Sequence, residues 1–276
     1  MTTSSSTQNN PTPQIPTSVI DNQSQIVQSN NSWQTMKDKT LAAAEAKLQD
    51  EVQVMMSLNP MIACQYAMLV LGQAGECCMI QDVGIPSTEM NENSSIGNML
   101  NSIQSNIQFL EQNAAGYNGN TNDLTSSEIQ AGATVWYSLL DLQKDFQEVS
   151  EPGTQFYGMC STTMANSMLN SINGMINLLE APGGVNATSG SYVANEIMTN
   201  YQNYEKDPTG SEAIWVNNLN SDLASSLSQV SGNSAQLNQQ MNTGTKEAEQ
   251  FFAGLEQQMK SQNTLAMAEI QNENVQ

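Results

Sequence analysis

The sequence has no histidine and no arginine, and its 7 basic residues, all lysine, face 27 acidic ones among 276 residues. Without histidine the chain has no Ser-His-Asp triad, no histidine proton shuttle and no histidine metal ligand. Without arginine it has no bidentate guanidinium clamp for phosphate or carboxylate. The net charge of −20 repels nucleic acids and anionic lipid headgroups. These absences argue against an enzyme and against a nucleic-acid-binding protein.

Motifs for catalysis and for cofactor or metal binding are also missing. No Gly-Lys-Ser/Thr phosphate loop occurs, no GxGxxG opens a helix after a strand, and the acidic residues do not form a calcium loop. The cysteines form no CxxC pair, which favours reduced structural thiols over a disulfide framework; they are Cys64, Cys77, Cys78 and Cys160. We therefore predict a non-enzymatic protein with no catalytic residue, no cofactor and no metal site.

The apolar residues that are present recur at helical spacing. Hydrophobic residues make up 38% of the chain and aromatic ones only 5%, while methionine occurs 17 times. Methionine fills irregular gaps between helices and also suits adaptable contact surfaces. The pattern predicts an all-α fold of helical hairpins or a bundle, with a long coiled-coil-like helix at the C-terminus and a disordered N-terminus.

The first 31 residues differ in composition from the rest. The first charged side chain is that of Asp21, and Pro11, Pro13 and Pro16 oppose a regular helix. Such a segment has too little apolar surface to offset the entropy lost on ordering. Residues 1–31 are therefore predicted to be disordered, either as a secretion signal or as an ordinary flexible tail.

Residues 32–210 are predicted to form a helical bundle. Ser32 is expected to cap its first helix, and a turn at Gly84–Pro86 is expected to precede a helix from about Ser94. Thr125 and Glu128 have the spacing of a capping box at the start of a later helix.

A short internal repeat, termed the internal echo, lies in the same region. The sequence of residues 99–103 recurs at residues 168–172. Two related helical hairpins would produce this repeat, and so would coincidence between two amphipathic helices.

Residues 60–82 form the most apolar segment. Gln65, Gln73 and Glu76 interrupt it, and no basic residue flanks it, so the segment does not meet the requirements of a membrane span. We interpret it as a buried central helix, with contact with lipid left as an alternative.

Residues 211–276 are predicted to form a long coiled-coil-like helix. From Leu227 to Leu265 the positions of one stripe alternate by three and four residues, which is the coiled-coil spacing. Gly232 and Gly244 leave one helix or two as alternatives. The stripe requires a second helix, and its candidate interaction residues are Leu227, Val230, Leu237, Met241, Phe251, Leu255 and Leu265.

Three features together resemble a known family: the uncharged N-terminus, the apolar segment around Met61–Leu71 and the C-terminal heptad helix. The chain is similar in pattern to the hydrophilic translocator, tip and filament proteins of bacterial type III secretion. The resemblance implies pairing of Trp33–Met56 with Leu227–Leu265 as a coiled coil. It also implies a secreted or cell-surface protein that assembles at the needle tip or in translocation.

The partners expected on this interpretation are another protein or a second copy of the chain, together with a secretion chaperone. Nucleic acid is excluded as a partner by charge. Two alternatives remain, a secreted effector that binds a host protein through a helix in a groove and an intracellular helical scaffold or chaperone.

Overall fold

A computed structural model describes residues 15–57, 66–68, 70, 72, 75, 77, 79–180 and 190–273. Within these residues the chain forms helices and turns and no strand, so the predicted all-α class is confirmed. A π-helical turn, Ile80–Gly84, and a 3-10 turn, Thr121–Asp123, accompany the α-helices. The α-helices are α1 (Thr17–Ser57), α2 (Ile85–Asn113), α3 (Ser126–Ser150), α4 (Thr162–Leu179), α5 (Gly190–Lys206) and α6 (Ser211–Glu273).

Local sequence signals set the ends of the later helices. The backbone N–H of Thr125 donates to the Glu128 carboxylate at 2.6 Å, and the Glu128 N–H donates to the Thr125 hydroxyl at 3.3 Å. This reciprocal pair confirms the predicted capping box at the start of α3. The turn before α6 closes with a bond from the Gly210 N–H to the Asp207 carbonyl.

Helix α1 begins 15 residues before the predicted cap (32 − 17 = 15), at Thr17. Ser32 lies inside α1, where its hydroxyl donates to the carbonyl of Gln28 at 2.9 Å. The predicted disorder is therefore wrong for residues 17–31, while residues 1–14 lie outside the described part of the chain. Pro16 does not oppose this helix, because its carbonyl accepts from Val19 just before the first turn, where no proline N–H is needed.

The buried face of α1 explains why it forms. Val19, Ile26 and Trp33 are all buried and follow one another at intervals of seven residues. This spacing keeps the three side chains on one helix face. Their burial stabilises the helix, although most of the residues around them are polar.

The expected turn at Gly84–Pro86 is also wrong. The chain passes from the π turn directly into α2, with the Ile85 N–H bonded to the carbonyl of Ile80. Proline lacks an N–H and its ring clashes with the carbonyl four residues earlier in a regular helix. The wider π turn makes room for Pro86, so α2 begins at Ile85 and not near Ser94.

Helix α6 runs without a break from Ser211 to Glu273, which decides between the one-helix and two-helix alternatives. Gly232 lies in open space, and Gly244 lies against the backbone of Asp82. Neither glycine ends the helix.

The chain divides into two compact units that cut across the predicted segments. The first contains the chain up to Val27 and Asn93–Gly232, and the second contains Gln28–Glu92 and the chain from Asn233 onward. The predicted boundaries near residues 31 and 210 do not coincide with these units, because α1, α2 and α6 each contribute to both.

In the first unit, α3 packs against α4 and α5. A Cβ on Gly132 would lie 2.1 Å from the carbonyl oxygen of Gly190, so the backbones of α3 and α5 are almost in contact. The two copies of the internal echo have buried apolar positions in the same register, including Met99 with Met168 and Ile103 with Ile172. Duplication remains a hypothesis, since amphipathic helices share this feature.

In the second unit, described contacts place α6 antiparallel to the segment that ends in the π turn. A Cβ on Gly75 would lie 2.3 Å from the Phe251 ring, and one on Gly244 would lie 2.6 Å from the carbonyl oxygen of Asp82. Both sides advance by seven residues between these contacts, which is the register of a heptad pairing. The approach at Gly244 involves backbone atoms on the opposite side, so it leaves no room for a side chain.

Replacing Gly244 by alanine is expected to destabilise the protein, because the new methyl group would push α6 away from Asp82. Overpacking of this kind costs about 1–3 kcal/mol. The control is Gly254→Ala on the same helix, where a Cβ meets nothing within 4 Å. This control should gain about 0.5–1 kcal/mol from helix propensity. Urea unfolding followed by circular dichroism measures both variants, and equal effects of the two substitutions would contradict the close approach.

Candidate interaction surface

The candidate residues on α6 differ widely in exposure. Val230 and Leu237 are buried within the chain and act as core residues. Leu227, Met241 and Leu255 are half-buried. Phe251 is 37% exposed and Leu265 is 64% exposed. The predicted stripe is therefore one continuous helix face that is covered at its start and uncovered towards the C-terminus.

The chain itself covers the middle of this stripe. Leu255 lies in van der Waals distance of a Cβ built on Gly72, at 3.8 Å, and the Phe251 ring lies over Gly75. These contacts provide the second helix that the heptad spacing required. The pairing of Trp33–Met56 with Leu227–Leu265 falls mostly on α1 side chains outside the described ones, so it stays a prediction.

The C-terminal end of the stripe is termed the distal face and consists of Phe251, Leu255 and Leu265 together with the adjacent Met259. Phe251 and Leu255 are covered in part by the contacts at Gly75 and Gly72, whereas Met259 and Leu265 are exposed. At about 100° per residue these four positions fall within about 120° of the helix circumference. Met259 is 51% exposed. Met267, 62% exposed, lies on nearly the opposite side of α6. Large apolar side chains exposed together on one helix face mark a contact site more often than scattered single ones do.

A polar cleft of about 700 Å³ lies beside the stripe in the second unit. Its first wall carries Asp82, Ile85, Pro86 and Glu89, which follow one another along the π turn and α2. Its second wall is a row on α6, containing Gln236, Gln239, Gln240, Thr243, Gly244 and Glu247. The contact between Gly244 and Asp82 brings the two walls together.

Glu89 is the residue of the cleft whose carboxyl pKa departs most from its ordinary value. The Trp33 indole N–H donates to its carboxylate at 3.1 Å, and the Lys37 ammonium lies 4.6 Å from the centre of the Trp33 ring. Burial raises the pKa of Glu89 from 4.5 to about 7, and the hydrogen bond from Trp33 opposes this shift only in part.

Sequence reasoning did not find the cleft, although a signal exists. The polar positions of the second wall recur at helical intervals beside the apolar stripe, so they lie on one face of α6. The first wall could not be placed, because the π turn replaces the expected turn at Gly84–Pro86.

Other site chemistries find no support in the described part of the chain. No three histidine, cysteine or carboxylate side chains there are grouped as metal ligands. None of the helices described there is long and apolar enough to cross a bilayer. Cys77 and Cys160 are half-buried, while Cys64 and Cys78 lie outside the described residues.

Comparison with known proteins identifies no relative: no family model matches the chain, and neither curated proteins nor solved structures give a match.

Replacing Glu89 by glutamine is expected to change how stability depends on pH. Because the folded-state pKa lies near 7 and the unfolded value near 4.5, the native protein binds more protons than the unfolded chain between these pH values. The wild type should lose stability as pH rises through this window, by up to about 3 kcal/mol for a shift of this size. The amide still accepts from Trp33 and does not ionise, so the variant should lack this loss.

Thermal unfolding at pH 4, 6 and 8 measures the effect. Glu249→Gln provides the control, because it removes the same charge from an exposed position on α6 outside the cleft. Parallel profiles for wild type and Glu89→Gln would contradict the assignment to Glu89.

Proposed function

We propose that this protein is an exported structural component of a bacterial type III secretion system, which assembles at the needle tip or in translocation through helix–helix contacts. It acts without catalysis, outside the bacterial cell, and its partner is a second copy of the chain or another helical protein of the apparatus. A secretion chaperone is its expected partner before export.

The distal face of α6 is the observation that carries this proposal. Its apolar side chains continue the stripe that the chain's own helices cover further back, and its last two, Met259 and Leu265, are 51% and 64% exposed. A heptad face that its own chain covers only in part is stabilised when another helix covers the remainder. Assembly through α6 would provide that helix.

The charge distribution supports the same site. Although the chain carries a net charge of −20, the only charged residues between positions 251 and 265 are Glu256 and Lys260, which form an ion pair. Two copies can therefore approach at the distal face with little like-charge repulsion, whereas most other contacts between acidic chains are disfavoured.

The uncharged N-terminal sequence supports export. Its Ser/Thr-rich composition without charge before Asp21 is the feature that resembles type III secretion signals. Within the described residues, α1 begins only at Thr17, which leaves the preceding segment as the candidate signal.

Replacing Leu265 by aspartate is expected to weaken self-association at least tenfold, because it places a charge at the most exposed apolar side chain of the distal face, where a second helix would bury it. Met267→Asp is a matched control, since it adds the same charge at a similarly exposed position on the opposite side of α6. Sedimentation velocity over a range of protein concentrations measures both. A monomeric wild type, or equal loss in the two variants, would count against assembly through the distal face.

Deleting residues 1–20 is expected to abolish appearance of the protein in the culture supernatant of bacteria with a working type III apparatus. A strain without the secretion ATPase provides the reference for no export. Continued export of the truncated chain would reject the signal, and retention of the full-length chain in the cytosol would favour the scaffold alternative.

A further inference from the structure

The polar cleft of the second unit is not used by the proposed assembly. The distal face begins at Phe251, whereas the α6 wall of the cleft ends at Glu247. A volume of about 700 Å³ falls within the range of small-ligand sites.

The lining favours a ligand that donates hydrogen bonds and carries positive charge. Both walls carry acidic residues, with Asp82 and Glu89 on one side and Glu247 on the other. Glutamine carbonyls and the Thr243 hydroxyl on α6 add neutral acceptors. No lysine belongs to the described lining, so the cleft itself supplies no cation for these carboxylates.

The lining also has an apolar part. Ile85, Pro86 and Gly244 contribute aliphatic atoms to the lining beside the acidic residues of the two walls. Long amines place their methylene stems on apolar surface while the charged head remains among polar groups. The combination matches a cation on an aliphatic stem better than a bare metal ion, which prefers a compact set of oxygen ligands.

The surroundings of the Glu89 carboxylate strengthen the argument for a cationic ligand. Its carboxylate is partly withdrawn from water and receives one side-chain hydrogen bond, from the neutral indole of Trp33. Burial of a carboxylate without a cationic partner is unfavourable, which is why its pKa is raised. An ammonium group next to the two carboxylate oxygens of Glu89 would offset the free-energy cost of burying their charge.

We propose that the cleft binds a primary alkylammonium group on an aliphatic stem, as presented by a free polyamine or by a lysine side chain of a peptide. The ammonium lies between Glu89 and Glu247, and the stem packs on Ile85 and Pro86. This proposal is independent of the secretion role and does not require assembly through α6.

Isothermal titration calorimetry on the full-length chain tests it with two probes, spermidine and a blocked Ala-Lys-Ala peptide. Pentanediol and magnesium chloride at matched ionic strength are the control ligands. Binding by both amine probes, or by either one alone, supports the shared chemistry and identifies its source. Binding of neither amine, or equal binding of magnesium, would overturn the proposal.

Three variants locate the site. Glu89→Gln and Glu247→Gln should each weaken amine binding at least fivefold, while Glu249→Gln should leave it unchanged because its side chain lies outside the cleft lining. Glu247 is exposed, so its variant keeps the test valid even if Glu89→Gln alters folding. Equal weakening by all three variants would indicate attraction to net charge alone and would overturn the site.

The pH dependence separates Glu89 from the other carboxylates. Because a proton and the ammonium compete for the Glu89 carboxylate, amine affinity of the wild type should rise from pH 6 to pH 8. The Glu89→Gln variant should lose most of this rise. A pH-independent affinity of the wild type would show that Glu89 does not contact the ligand.

Discussion

The close approach of α6 to the backbone of Asp82 is the constraint on which the second unit depends. Only a residue without a side chain can occupy position 244 there, and the contact fixes the register of α6 against the preceding segment. From that register, Phe251 comes to lie over Gly75 and Leu255 beside Gly72. The same contact brings the carboxylates of the π turn and of α6 to opposite walls of one cleft. The pairing of the apolar stripe and the position of the two cleft walls thus both depend on this one backbone contact.

Much of the fold could be predicted from local sequence patterns, and the errors share a cause. The spacing of apolar residues on α6 and the capping box at Thr125 are local, so they could be read without knowledge of the fold. Helix α1 was predicted to begin too late because residues 1–31 were judged by their uncharged, proline-containing composition. The seven-residue spacing of Val19, Ile26 and Trp33, which indicates a helix, was not considered. The prediction of a turn at Gly84–Pro86 was wrong because a glycine followed by a proline is compatible with a π turn within a helix as well as with a chain reversal. The cleft could not be predicted, since it depends on contacts between segments more than 140 residues apart, such as Asp82 and Gly244.

In the described part of the chain, the helices pack with very few ion pairs. Those found among the described residues join neighbouring turns within one helix, Lys144–Glu148 on α3 and Lys260–Glu256 on α6. Their side chains are exposed, and such pairs add little stability. Amides and hydroxyls make the longer connections instead. In the first unit, the Asn93 amide donates to the Val230 carbonyl at 2.8 Å, and the Tyr201 hydroxyl donates to the Asn220 amide oxygen at 3.1 Å. Neutral hydrogen bonds suit a chain with seven lysines, because they specify contacts without requiring cations.

The π turn at Ile80–Gly84 has a consequence for how the sequence can vary. A helix that gains one residue must either rotate everything beyond the insertion by about 100° or absorb the extra residue in a wider turn. The second solution is present here, since helix continues on both sides of the turn, at Met79 and at Ile85. The π turn therefore accommodates one extra residue without rotating the helix faces on either side of it. Shortening the chain by one residue between positions 80 and 84 would keep the directions of the flanking faces but would bring the Pro86 ring against a carbonyl of the preceding turn. A one-residue deletion within α2 would instead rotate one face away from its neighbours.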